Sequence, residues 1–136
     1  MQFRFEVNEG WYLTHFSGDI DFSGLLLALK EFEIMEKNNP PFFNRVTDLR
    51  ETTSIELDYN EVSGLAKKRM MAYLPDKVKS AFIVSNDEQH GFARMFFSLN
   101  SHPKIEFKIF NSLQDGIDWA NSTRSGKQNE SVGSDE

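Results

Sequence analysis

The sequence predicts an α/β fold: a single domain with a mixed β-sheet, an antiparallel N-terminal hairpin plus parallel strands, covered by about four helices in the order ββαβαβαβα. Three observations predict it. Two alternating β segments open the chain, at 2–7 and 11–16, with Asn8-Glu9-Gly10 as the turn between them. From residue 22 onward, segments of helical period alternate with short β-rich ones, which implies parallel strands joined by right-handed crossovers. Residues 81–84 form a continuous apolar run, the pattern of a strand covered on both faces.

In QFRFEV, 2–7, Phe3, Phe5 and Val7 share one face. WYLTHF, 11–16, is rich in β-formers and is closed by Ser17-Gly18-Asp19. Asp21 is placed to cap a helix over 22–37 with Leu25, Ala28, Leu29, Phe32 and Met35 as its stripe. Leu26, Leu27 and Ile34 widen that stripe, and Asn38-Asn39-Pro40-Pro41 ends the helix. FFNRVTDL, 42–49, is a strand finishing near Asp48, and RETTSIE, 50–56, a polar connection. Asp58 and Glu61 have capping-box spacing, and the helix over 59–74 carries Tyr59, Val62, Ala66, Met70 and Tyr73 on one face until Pro75. VKSAFIVS, 78–85, is the fourth strand. Ser85 and Glu88 repeat the capping-box spacing before a helix striped by Phe92, Met95, Phe96 and Leu99. Gly91 inside that helix implies close packing, because glycine there costs about 1 kcal/mol relative to alanine. IEFKIF, 105–110, is the last strand, and Ser112 caps a final helix over 113–122 with Leu113, Ile117 and Ala120 inward and Trp119 at the rim. The domain therefore spans 1–122. From Thr123 the chain has one aliphatic residue and no aromatic, and is expected to be a disordered tail.

Composition narrows the function classes. The chain has 136 residues, no cysteine and a net charge of −6, so disulfide and thiolate-metal chemistry are excluded and a reducing, cytoplasmic setting fits. An acidic protein disfavours nucleic acid and anionic membranes as partners. No apolar run reaches the ~20 residues that span a bilayer, and the charged, alternating N-terminus is no secretory leader. His15, His90 and His102 lie on different segments without metal-ligand spacing. No G-x-S-x-G, G-x-G-x-x-G or Walker pattern is present, so neither an enzyme nor a cofactor is expected. The 13 phenylalanines are core material first, and an apolar pocket or interface second.

Ligands of open α/β sheets collect beyond the carboxyl ends of the parallel strands. Those ends carry Asp48, Arg50, Glu51 and Thr52-Thr53-Ser54, then Ser85, Asn86 and Asp87 with His90 and Arg94 one helical turn apart, then Asn111 and Ser112. Asp48, Arg50, Ser54, Ser85, Asn86, His90 and Arg94 are the candidate ligand- or partner-binding residues. Each has an ordinary structural alternative: Ser85 and Ser112 as helix caps, Asp48 as a partner of backbone N–H groups or an arginine, and His90 and Arg94 as solvated helix residues.

The segments FSGDIDFSGLLLAL, RVTDLRETTSIELD, KSAFIVSNDEQHGFARMFFSL and FKIFNSLQDGIDWAN, in that order, resemble the SpoIIAA-like family, relatives of the STAS domains of anti-sigma-factor antagonists and, more distantly, of CRAL-TRIO lipid-exchange domains. The resemblance covers about residues 2–121. It implies a mixed sheet covered by helices, and a bacterial regulatory module that binds an unidentified protein partner, a second copy of itself included. The antagonists carry a phosphorylated serine before Gly-Leu, and Ser63 in Glu61-Val62-Ser63-Gly64-Leu65 matches it. Val62 and Glu61 depart from the pattern, and Ser63 falls inside a helix rather than at its start. The lipid-exchange relatives imply a second reading, a carrier or sensor of a small apolar ligand. Its pocket would draw on Phe97, Met70, Met71 and Trp119, with Arg94 or Arg50 meeting an anionic head. A third reading, an enzyme, would need Asp48 and His90 within a few ångströms of each other.

Overall fold

The computed structural model describes residues 1–38, 44–71, 74 and 76–122. The order is β1 Gln2–Asn8, β2 Trp11–Ile20, α1 Phe22–Asn38, β3 Asn44–Ile55, α2 Tyr59–Met70, β4 Val78–Ile83, α3 Asp87–Leu99, β5 Ile105–Phe110 and α4 Leu113–Asn121. The tail expected beyond residue 122 lies outside the described residues.

The five strands lie in sequential order, β1-β2-β3-β4-β5. β1 and β2 are antiparallel, with Glu9 and Gly10 as a two-residue turn in which Gly10 takes a φ of 88°. The other three pairs are parallel. Sequential parallel order with right-handed crossovers keeps every connecting helix on the same side. Accordingly Ala28 of α1 and Ala93 of α3 pack with Phe16, Leu49, Phe82 and Val84 on one face. The last helix has no further strand to return to. It packs on the opposite face, where Ala120 meets Leu13, Val46, Ala81 and Ile83. β4 is buried along its whole length, as its apolar run requires.

Two strand ends differ from the sequence expectation. Ser17-Gly18-Asp19 does not close β2. Gly18 adopts a φ of 80° and the register slips there, so the strand kinks and runs on to Ile20. β3 follows it: 50–55 is strand rather than polar connection, paired with β2 through Ser17↔Glu51, Gly18↔Thr52 and Ile20↔Ile55. Its polar composition fits, because β4 ends at Ile83 and leaves this extension to β2 alone.

The caps of three helices follow the spacing. Asp21 Oδ1 accepts from the Gly24 N–H at 2.8 Å. Asp58 and Glu61 complete a capping box, and Ser112 caps α4. In α3 the cap is Asn86, which accepts from the Gln89 N–H, and not Ser85. The glycine argument also shifts. Nothing lies within 4 Å of a Cβ at Gly91 or Gly64, whereas one at Gly116 would run into Ile83 Cδ1. Close packing therefore belongs to Gly116, where α4 meets the sheet. Gly64→Ala and Gly91→Ala should each stabilise by about 0.5–1 kcal/mol in urea unfolding, and Gly116→Val should cost about 1–3 kcal/mol.

Candidate functional site

A cavity of about 120 Å3, partly open to solvent, lies between the sheet and the face carrying α1, α2 and α3. Seven of the chain's phenylalanines line it, among them Phe16, Phe32, Phe82 and Phe96, together with Leu25, Leu49 and Leu65. An engineered apolar cavity of about 150 Å3 takes up benzene, so the space is of the order of one aromatic ring.

The cavity is not wholly apolar. Arg45 and Arg69 line it, as do the polar residues Thr14, Thr47 and Ser80. Arg45 is placed there by strand alternation, since Arg45, Thr47 and Leu49 share the face that Tyr12, Thr14 and Phe16 occupy on β2. Arg69 comes from the inward stripe of α2, three and four residues beyond Ala66 and Leu65. Glu36 of α1 joins them. Its Oε2 is 2.8 Å from Arg45 Nη2, and both its oxygens accept from Arg69 at 3.1 Å. All three side chains are buried, at 4% exposure for Arg45 and Glu36 and 6% for Arg69. Both guanidinium carbons lie 5.0 Å from the Phe32 ring centre, in cation–π range. Burial pushes the Arg45 guanidinium below its ordinary value, against the opposing pull of Glu36. The Tyr12 phenol beside it is pushed up to about 12, chiefly by burial, and stays neutral.

Sequence reasoning missed this cluster, although a signal exists. Glu36 continues the α1 stripe four residues after Phe32, and Arg69 stands where the α2 stripe calls for an apolar residue. A charged residue at an inward position marks a buried pair or a site.

The residues expected at the strand ends are distributed otherwise. Asp48 faces the side of the sheet opposite the cavity. In register it stands in the row Arg4, His15, Asp48, Ile83, Phe110 across all five strands. Its partners are Arg50 and His15: Arg50 Nε and Nη2 donate at 2.9 and 3.0 Å, and His15 Nδ1 lies 3.3 Å from Oδ2. His15, not His90, is thus the histidine beside Asp48. Ser54 and Thr53 donate to Asp19 Oδ1 at 2.8 and 2.6 Å. Ser85 donates from both N and Oγ to Gln89 Oε1, and Asn86 is engaged as a cap. Arg94 is exposed and His90 half-buried on α3. Neither Arg94 nor Arg50 lines the cavity; Arg45 and Arg69 do. Phe97 packs on Phe82 and Phe107, Trp119 covers Lys79 on the other face, and Met71 is 85% exposed, so these three and Met70 do not form the pocket wall. Ser63 is half-buried in the middle of α2.

The Asp48 carboxylate is held below the ordinary carboxylate value. Burial pushes it up, but the hydrogen bonds and charge of Arg50, with His15 adding, outweigh that. A folded value below the unfolded one, near ~3.9, contributes stability that is full above that pH and is lost as the pH falls through the folded value. Asp48→Asn should therefore cost about 1–3 kcal/mol at neutral pH. In urea unfolding, its gap from wild type should narrow as the pH falls below the ordinary carboxylate value of ~3.9.

Among the described residues, no helix is long and apolar enough to cross a membrane. No family model matches the sequence, and no curated protein matches it. Among solved structures, the chain is similar to an uncharacterized protein of the DUF3478 family with a SpoIIAA-like fold from Shewanella loihica PV-4. That likeness has a TM-score of 0.56 at 18% identity, covering 88% of this chain and 92% of that one. With the mixed five-stranded sheet, its sequential strand order and its four helices, the protein has a SpoIIAA-like fold.

Proposed function

We propose that the protein is a non-enzymatic cytoplasmic carrier or sensor of a small, largely apolar ligand held between the sheet and α1–α3. One observation carries this reading: the phenylalanine-lined cavity of about 120 Å3 with buried polar side chains at its wall. Pockets of this make, apolar with a few convergent polar groups, are where small ligands bind. Toluene is a fitting first probe, because it fills apolar space without needing a polar partner. It should raise the thermal midpoint of the wild type and shift the NMR signals of Leu25, Leu49 and Leu65 methyls. Ala28→Leu, which extends a cavity-lining side chain into the space, should abolish both responses. Unchanged spectra at saturating toluene would sink the reading. Native mass spectrometry of the protein as purified from cells would show whether a ligand is already aboard.

A second reading, a module that binds a protein partner or a second copy of itself, is favoured by Leu27 and Ile34. They lie seven residues apart on α1 and are 54% and 53% exposed. A concentration-dependent dimer by sedimentation that Leu27→Glu dissolves would raise it above the first. A monomer at every concentration would remove self-association.

A further inference from the structure

Two hydroxyls stand side by side on the floor of the cavity, and we infer that its ligand is a single aromatic ring bearing one neutral oxygen, as in a phenol, an alcohol or a carbonyl compound, seated between Thr14 and Thr47. The inference rests on the carrier reading and names the chemistry of that ligand.

The sheet register sets the pair in place. One row of the floor runs Phe5, Thr14, Thr47, Phe82 across β1 to β4, and all four residues line the cavity. Two threonines are thus bracketed by two phenylalanines, at positions where an inward strand face calls for apolar residues. Valine would suit the strands as well as threonine does and would fill nearly the same space. Threonine differs by its hydroxyl.

Those hydroxyls form no bond that holds the fold. Threonines opposite each other on neighbouring strands can hydrogen-bond across the pair. Here neither Thr14 nor Thr47 makes a side-chain hydrogen bond to any of the described residues. Thr14 is only 5% exposed. A buried hydroxyl without a partner is costly, and native proteins rarely carry one unless something else meets it. The cavity is the space these two face, so their partner has to enter there.

The geometry says what that partner offers. Neighbouring strands lie about 4.8 Å apart, so one oxygen between the two side chains is within reach of both. A hydroxyl oxygen on the ligand donates to one threonine and accepts from the other, and a carbonyl oxygen accepts from both. The head is neutral, because the charges at the wall are already set against one another in the Glu36 pairs and a further buried charge would be costly. Phe5, Phe82 and Phe96 surround the rest of the ligand, and about 120 Å3 leaves room for one ring. Ser80 also lines the floor, but it stands two strands from Thr14, at about 10 Å, too far to share an oxygen with it.

The test is an NMR titration of the full chain with toluene, phenol, benzaldehyde and benzoate. Phenol has nearly the shape of toluene, and in purely apolar space it would bind more weakly, because its hydroxyl has to leave water. Here phenol or benzaldehyde is expected to bind at least as tightly as toluene, and the tighter of the two tells hydroxyl from carbonyl. In Thr14→Val and in Thr47→Val that ligand should lose about tenfold in affinity, the effect of one buried polar group left unpaired. Toluene should change by about twofold or less in both variants, and Ser80→Ala should leave every ligand unchanged. Without ligand, the two valine variants should keep or raise the thermal midpoint, since no protein hydrogen bond is lost. A clear fall would show that the hydroxyls serve the fold, and would overturn the inference. Should either variant fail to fold, the inference is overturned in the same way. Toluene binding more tightly than both oxygen ligands would overturn it and leave the apolar carrier standing. A loss confined to Ser80→Ala would overturn the seat, and tightest binding of benzoate would overturn the neutral head. If nothing binds, toluene included, the inference and the carrier reading fail together.

Discussion

Glu36→Gln is expected to destabilise the protein by about 3–5 kcal/mol, the cost of removing one partner from a buried ion pair. The amide keeps the shape but not the charge. It takes away the carboxylate shared by the Arg45 and Arg69 guanidiniums, whose carbons each lie 5.0 Å from the Phe32 ring centre in the wild type. Arg45→Met is expected to behave quite differently. Glu36 would still hold Arg69 by two hydrogen bonds, so no buried carboxylate is left unpaired and the loss of stability should be smaller than in Glu36→Gln. Urea unfolding of the two variants beside wild type measures the contrast. Equal losses in both would mean that packing, not charge, governs the cluster.

Gln89→Ala should cost about 2–4 kcal/mol, combining a small cavity with unpaired polar groups. Gln89 is fully buried and ties three segments together. Its Oε1 accepts from the Ser85 N–H at 2.7 Å and from Ser85 Oγ at 3.2 Å, while its Nε2 donates to Thr52 Oγ1 at 3.0 Å. Thr52 in turn donates to the Leu49 carbonyl. The side chain thus binds the turn after β4 to the far end of β3. Amide exchange gives the sharper reading: the Ser85 N–H should lose its protection in the variant, whereas the β4 amides should keep theirs. Full protection of Ser85 would show that water replaces the side chain at little cost.

These two residues also mark where sequence reasoning stops. The order of nine elements was legible, because periods of 2 and 3.6 are written in the spacing of apolar residues and do not depend on what lies across the core. The capping residues Asp21, Asp58 and Ser112 were legible for the same reason, since a cap acts within three residues of itself. The turn after β4 was harder. Ser85 and Glu88 have capping-box spacing, yet Asn86 accepts from the Gln89 N–H, while Ser85 donates from N and Oγ to Gln89 Oε1. The run at 50–55 looked like a loop because its polarity is that of a loop. It is strand because β2 continues past a glycine kink and offers it a pairing edge.

The candidate site was less legible than the fold. For Asp48 the sequence offered backbone N–H groups or an arginine as partners, and Arg50, two residues away, supplies both. His15 was not offered, because its contact depends on the register between β2 and β3. Glu36, Arg45 and Arg69 stand on α1, β3 and α2, and no local pattern joins them. What the sequence by itself determined is therefore local: which segments, apart from 50–55, are strands and helices, where most helices begin, and the inward face of α3 and α4, whereas Leu27, Ile34 and Tyr59 of the expected stripes are exposed. Tertiary structure alone decided that one sheet face carries three helices and a cavity, that two arginines and a glutamate converge at its wall, and that Asp48 lies on the opposite side. The reason is physical. Periodicity and capping are set by neighbours along the chain, whereas burial, ion pairing and a cavity's charge balance are set by residues that meet only after the sheet has closed its register.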